Sequence, residues 1–328
     1  MKMACGCRED YEVQVSLAQK LDSDHGISSA KRAAVEPAFS LPPVPHLDEC
    51  FLQMETVHAP NGLPLEALIP ANKEHRCEDP NAPAFVMVPG LGMDGWGFFR
   101  QLPLGTISNL HLFQMPNAPA PEEQGLGHFA RHVEDYIVAR GLDKRPGGVI
   151  VGGCSMGGAV SLHIATRQRI KLRGIALIGT FADCKHLAFW KRWAAPLSWI
   201  LPLHRSRFIA RHVVKKTRYF GALAPAEADF LCNWKVERNQ NYFGRAVMAL
   251  TRQKQLEAAA KLQTPAYITH GKQDYILPFA AGEELAKAIP NSHWHPVDDA
   301  GHAIFFTHAE AMNAALAKFI SETRPANL

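Results

Sequence analysis

From Phe51 onward, short apolar runs alternate with stretches of helical periodicity. FLQMETV at 51–57 and LPLEALI at 63–69 read as two strands, and the Asn61-Gly62 pair between them is a strong hairpin signal. AFVMV at 84–88 is continuously apolar, as befits a strand covered on both faces of a parallel sheet. Further strands are expected over 110–114, 148–151, 172–179, 265–269 and 293–297. Helices are expected over about 122–140, where Phe129, Val133, Ile137 and Val138 share one side, and over 159–167, 280–288 and 309–320. This alternation predicts an α/β protein with a mainly parallel, eight-stranded sheet flanked by helices.

One block breaks the alternation. Residues 183–262 hold helix-like segments and no convincing strand, and such a length exceeds an ordinary crossover. An insertion after the C-terminal end of a strand lies over the ligand face of such a sheet, so the block reads as a helical cap. The core is then split into 49–182 and 263–328. Residues 1–48 read as a tail, with a short helix over 11–21 and an extended linker at SLPPVP, 40–45.

Composition narrows the picture. With 328 residues, 47% apolar and 20% charged, the chain can bury a sizeable core, and its net charge of +4 gives no reason to expect nucleic acid. There is no run of 18 apolar residues, and MKMACGCREDYEV lacks the apolar region of a secretory signal. The 7 cysteines, odd in number and irregular in spacing, fit reduced thiols and a cytoplasmic setting. Cys5-Gly6-Cys7 has a metal-binding or redox look, but no second cysteine or histidine pair lies near it.

Charge is uneven within the expected cap. Residues 184–226 carry nine Lys or Arg and no acid, interleaved with Phe189, Trp190, Trp193, Trp199 and Phe208. One reading is a basic, aromatic surface for an acidic carrier protein, a CoA ester or an anionic membrane face. The other is a solvated helix whose aromatics pack inward.

Candidate chemistry centres on Gly153-Cys154-Ser155-Met156-Gly157, a G-x-S-x-G pattern between an expected strand and an expected helix. A hydroxyl held out on a sharp strand-to-helix turn needs glycines two residues before and after, because a side chain there would collide with the turn. Serine is a poor nucleophile at neutral pH and needs a base, and the base needs an acid to fix its tautomer. Asp274, in HGKQD after the 265–269 strand, and His302, in DDAGH after the last strand, follow in the order Ser, acid, His. Asp183 is the rival acid; His270, His293, His295 and His308 are the nearby rival bases. The oxyanion of an acyl intermediate needs backbone donors, for which the Met156 N–H and the Leu91 N–H in the PGLGMDG loop are the candidates. That loop superficially resembles a phosphate cradle but lacks the lysine of a P-loop.

Together, PGLG at 89–92, GCSMGG at 153–158, GKQD at 271–274 and AGHAIFFTH at 300–308 resemble the α/β-hydrolase superfamily over roughly residues 51–320. Within it the chain is most similar to carboxylesterases like the pimeloyl-carrier-protein methyl ester esterase, and around GCSMGG it also resembles carbon–carbon bond hydrolases. Pro89 stands where many members have histidine, and MPNAP at 115–119 replaces the usual acidic, glycine-rich loop. The resemblance implies a serine hydrolase working on a carboxylic ester or thioester without metal or organic cofactor. A carbon–carbon hydrolase, an acyltransferase and a non-catalytic acyl-ligand or acidic-partner binding protein are the alternatives.

Overall fold

The computed structural model describes residues 52–120, 122–187, 195–199 and 239–323. The expected helix at 11–21, the linker at 40–45 and most of the basic segment at 184–226 lie outside the described residues.

Eight strands form one sheet: β1 Leu52–His58, β2 Pro64–Pro70, β3 Ala84–Val88, β4 Asn109–Gln114, β5 Val149–Cys154, β6 Gly174–Ile178, β7 Ala266–Gly271 and β8 Ser292–Val297. Their spatial order is β1-β2-β4-β3-β5-β6-β7-β8. β1 and β2 form the antiparallel hairpin expected around Asn61-Gly62, and β2 meets β4 antiparallel; every pairing from β4 through β8 is parallel. The central strands β3, β5, β6 and β7 are buried at every position, whereas β1 and β8 at the edges are mixed. That contrast is the origin of the continuous apolar runs in the one set and the polar interruptions in the other.

Among the described residues the α-helices are α1 Gly127–Ala139, α2 Met156–Arg167, α3 Gln240–Thr251, α4 Leu256–Ala259, α5 Phe279–Ala288, α6 Ile304–Thr307 and α7 Ala309–Glu322. They cover both faces of the sheet. On one face Val86, Val151, Leu177 and Ile268 join Phe129, Val133, Val160 and Leu285 of α1, α2 and α5. On the other, Phe85, Ile150, Ala176 and Tyr267 join Phe98 and Leu102 of a 3-10 helix over Gly95–Thr106, with Leu316 and Phe319 of α7. Alternate strand residues thus feed opposite layers, as the period of two in a strand requires.

Helix α1 starts five residues later than expected. Residues 122–126 form turns instead, with Glu123 N–H on Ala120 O and Gly127 N–H on Gln124 O, and Gly125 sits at φ +56°, outside helical space.

The block expected as a cap leaves the core and returns to it at one place. Cys184 N–H bonds to Gln253 O at 2.9 Å and Gln255 N–H to Ala182 O at 2.9 Å, with Gln253 Nε2 donating to Phe181 O at 2.8 Å. Its returning part is anchored in the core: Tyr242, Ala246 and Ala249 of α3 belong to the cluster containing α1 and α2, and the Tyr242 ring meets Phe129 edge-on at 5.6 Å. Among the described residues no helix is long and apolar enough to cross a membrane.

Candidate active site

The C-terminal ends of β3, β5, β6, β7 and β8 lie along one edge of the parallel sheet, and the chemistry-bearing turns gather there. Ser155 joins β5 directly to α2 and has φ +52° and ψ −116°, one of two non-glycine residues with positive φ among those described. Strain of this kind costs on the order of 1–3 kcal/mol and persists only where the surroundings hold it. Here Ser155 N–H bonds to Ile178 O at 2.9 Å, and Ser155 O accepts from Thr180 Oγ1 at 2.7 Å and from Ala159 N–H at 3.1 Å. The glycines are sterically required, as expected. A Cβ on Gly153 would sit 2.3 Å from Val88 O, and one on Gly157 would sit 2.0 Å from the same atom.

Asp274 and His302 come together from turns 28 residues apart, His302 Nδ1 lying 2.7 Å from Asp274 Oδ2. The two turns are knitted by backbone: Lys272 N–H bonds to Val297 O at 2.9 Å and Gln273 N–H to Ala300 O at 3.0 Å. Asp274 Oδ1 accepts from Ile276 N–H at 2.8 Å and Leu277 N–H at 2.9 Å. Burial acts to raise the Asp274 pKa, but the adjacent His302 and His270 outweigh it and hold the carboxyl well below the usual range. Asp274 is therefore an acceptor only. The Nδ1–H of His302 donates to it, which leaves Nε2 as the basic nitrogen of the neutral ring.

The serine turn and this pair meet across the end of β6. Ile178 holds the Ser155 N–H, and the next residue, Gly179, abuts the other two: a Cβ there would lie 3.3 Å from His302 O and 3.8 Å from Asp274 Oδ2.

The loop after β3 lies against the same turn. Gly90 approaches the Cys154 side chain so closely that an added Cβ would be 3.2 Å from its Sγ, and Cys154 Sγ lies 3.6 Å from Met93 Sδ. Residues 90–93 form a turn closed by Met93 N–H on Gly90 O at 3.1 Å, with Gly92 at φ +76°. The Leu91 N–H makes no hydrogen bond among the described residues. The Met156 N–H is the first of α2, where helix-terminal donors and the macrodipole favour negative charge. This glycine loop enters a 3-10 helix containing Pro103, not a straight α-helix that would present its N-terminus to a pyrophosphate.

The rivals have other places. Asp183 caps a short 3-10 turn, accepting from Lys185 N–H at 2.8 Å. His293 and His295 lie in β8, and His308 Nε2 is 3.1 Å from Asp299 Oδ1. His270 is different: its Nε2 is 3.2 Å from Asp274 Oδ2, a second imidazole on the same carboxylate, which its spacing from Asp274 in HGKQD allows but does not require. Two further contacts were not legible in the motif. Arg100 Nη1 donates to Phe306 O and Gln101 Nε2 to Phe305 O, both at 2.7 Å, tying the segment after His302 to the 3-10 helix that follows the Leu91 loop.

The sequence pattern of the alpha/beta hydrolase family matches residues 85–315. The chain belongs to that family. A pimeloyl-[acyl-carrier protein] methyl ester esterase from Chromobacterium violaceum is 26% identical over 249 residues, covering 73% of this chain and 94% of that protein. One from Neisseria meningitidis is 27% identical, covering 69% of this chain and 90% of that protein. In fold the chain is similar to a thermophilic esterase from Thermogutta terrifontis, with TM-score 0.67, 18% identity and coverage of 83% and 99% of the two chains. It is also similar to the enol-lactonase from Burkholderia xenovorans, with TM-score 0.62, 17% identity and coverage of 83% and 96%. The expected fold thus stands, and the protein is a hydrolase-family member with esterase relatives.

Proposed function

We propose that the protein is a serine hydrolase that cleaves a carboxylic ester or thioester through an acyl-enzyme. Ser155 Oγ attacks the carbonyl carbon while His302 Nε2 takes its proton. Asp274 orients His302 and stabilises the imidazolium. The Leu91 and Met156 N–H groups hold the oxyanion. The tetrahedral intermediate collapses, His302 returns the proton to the leaving alcohol or thiol, and water, activated by the same ring, releases the acid. These residues perform each step without a metal or organic cofactor.

The observation that carries this reading is the strained Ser155, whose N–H is held by Ile178 while the neighbouring Gly179 abuts the hydrogen-bonded Asp274–His302 pair. The names of the relatives favour an acyl ester over a carbon–carbon bond. They also favour an acyl group delivered on an acidic carrier, for which the nine basic residues between 184 and 226 supply a fitting charge. The cap over 183–262 is part of the same proposal.

The test is a p-nitrophenyl ester series of increasing acyl length with the wild type and Ser155→Ala. Wild-type turnover with a chain-length optimum, reduced by about 10⁵-fold or more in Ser155→Ala, supports the reading. A folded wild type that turns over no ester of any length, carrier-bound acyl esters included, sinks it and moves the assignment to carbon–carbon cleavage or binding.

A further inference from the structure

We infer that His270 is a positioning residue of this same site: its imidazole, held by Leu277 O, sets Nε2 against Asp274 and fixes the carboxylate that orients His302. The inference rests on the serine-hydrolase reading above.

His270 lies in β7, fully buried, four residues before Asp274. Its Nε2 is 3.2 Å from Asp274 Oδ2 and 3.1 Å from Leu277 O. A carbonyl only accepts, so Nε2 carries the hydrogen and donates it to Leu277 O, which sets the positive edge of the ring against Asp274 Oδ2. The other ring nitrogen, Nδ1, is buried and has no hydrogen-bond partner among the described residues. That is the signature of a neutral ring with its lone pair on Nδ1, since an imidazolium would strand a second N–H there. The ring is also wedged in place. A Cβ on Gly282 of α5 would lie 2.7 Å from His270 Nδ1, and Phe279 packs edge-on at 6.1 Å.

With His270 included, the carboxylate is held from every side. Oδ1 takes the Ile276 and Leu277 N–H groups, and Oδ2 takes the His302 ring and lies against the His270 ring. Asp274 therefore cannot rotate without losing a donor. The 3.2 Å contact is longer than the 2.7 Å bond from His302, so His270 supports the orientation of Asp274 without competing for it. A purely space-filling residue in an apolar niche would carry no unpartnered nitrogen, and an aromatic or leucine side chain would fill that role at lower cost.

The test compares full-length wild type, His270→Leu, His270→Gln, His270→Asn and Asp274→Asn. Three quantities are read: kcat and KM on a p-nitrophenyl ester, and the low-field proton resonance of the His302–Asp274 hydrogen bond. His270→Leu is expected to lower kcat by about 10- to 100-fold with KM within about twofold, and to shift or broaden that resonance. His270→Gln, whose amide reaches the Nε2 position, recovers most of the rate and the resonance. His270→Asn, whose amide stops near the Nδ1 position, recovers neither. A folded His270→Leu with wild-type kcat and an unmoved resonance overturns the proposal, as do Gln and Asn variants that behave alike. If His270→Leu does not fold, the Gln and Asn pair decides; if the wild type turns over no ester, the resonance decides. Failure of the serine-hydrolase reading looks different: Ser155→Ala and Asp274→Asn then leave turnover unchanged, whereas failure at His270 alone leaves Asp274→Asn slow and His270→Leu fast.

Discussion

Among the described residues, two histidine–carboxylate clusters hold a buried imidazole. At the end of β7, Asp274 lies against both His302 and His270. Where β1, β4 and α1 meet, His111 Nδ1 donates to the Tyr136 hydroxyl at 2.8 Å, and that hydroxyl donates to Glu55 Oε2 at 3.0 Å. Arg140 Nε closes the second cluster on Glu55 Oε1 at 2.7 Å. Burial pushes His111 down to about 4, with Glu55 offsetting part of the effect, and holds the Tyr136 phenol well above its usual range. Glu55 and His111 sit in regular strand pairings, opposite Ala67 and beside Val86. Asp274 sits instead past a strand end, across Gly179 from the strained Ser155 turn. The residue types are similar and the roles differ: shifted ionisation marks both clusters, but only one adjoins a serine held in a costly conformation.

The largest expected effect separates the clusters by activity. Asp274→Asn should lower ester kcat by about 10⁴-fold, since the amide favours the wrong His302 tautomer, while Glu55→Gln stays within about threefold. Equal losses in steady-state assays of the two folded variants would erase the distinction.

Acid stability separates them by pH. The folded His111 pKa of about 4 lies below its ordinary value of 6.5, so between those pH values the unfolded chain takes up a proton that the native protein refuses. Stability should therefore fall as pH drops through that window, by about 3 kcal/mol in total from this group. Asp274 acts in the same direction but in a lower window. Its folded pKa is depressed, so its contribution is complete above its ordinary value of 3.8 and is lost only at lower pH. Urea unfolding at several pH values from 7 to 4 should show a shallower decline for His111→Phe and no change of slope for Asp274→Asn.

The smallest effect concerns the Ser155 turn. Thr180→Val removes the 2.7 Å bond to Ser155 O but leaves the Ala159 N–H on the same oxygen. Thermal unfolding should register about 1 kcal/mol, with a several-fold lower kcat. A larger loss of rate than of stability would mean that Thr180 controls the aim of the hydroxyl.

Much of this was readable before any coordinates. The central strands follow from apolar runs, because a strand covered on both faces tolerates little else. Glycines 153 and 157 were readable because the Val88 carbonyl leaves no room for a Cβ. The start of α1 was not, because Glu122, Glu123 and Gln124 are good helix formers by type while Gly125 takes a positive φ. Nor was the returning half of the 183–262 block, where α3 packs on α1 through Tyr242 and Phe129, residues 113 positions apart by number (242 − 129).

By itself the sequence determined the alternation of layers, the sharp Ser155 turn and the short list of acids and bases, since these depend on local periodicity and local sterics. Only the tertiary structure decided that Asp274 meets His302, that Asp183 is spent capping a turn, and that His270 lies against the same carboxylate. The contacts of Asp274 depend on approaches of about 3 Å between side chains of different elements, and chain order alone does not specify distances that short.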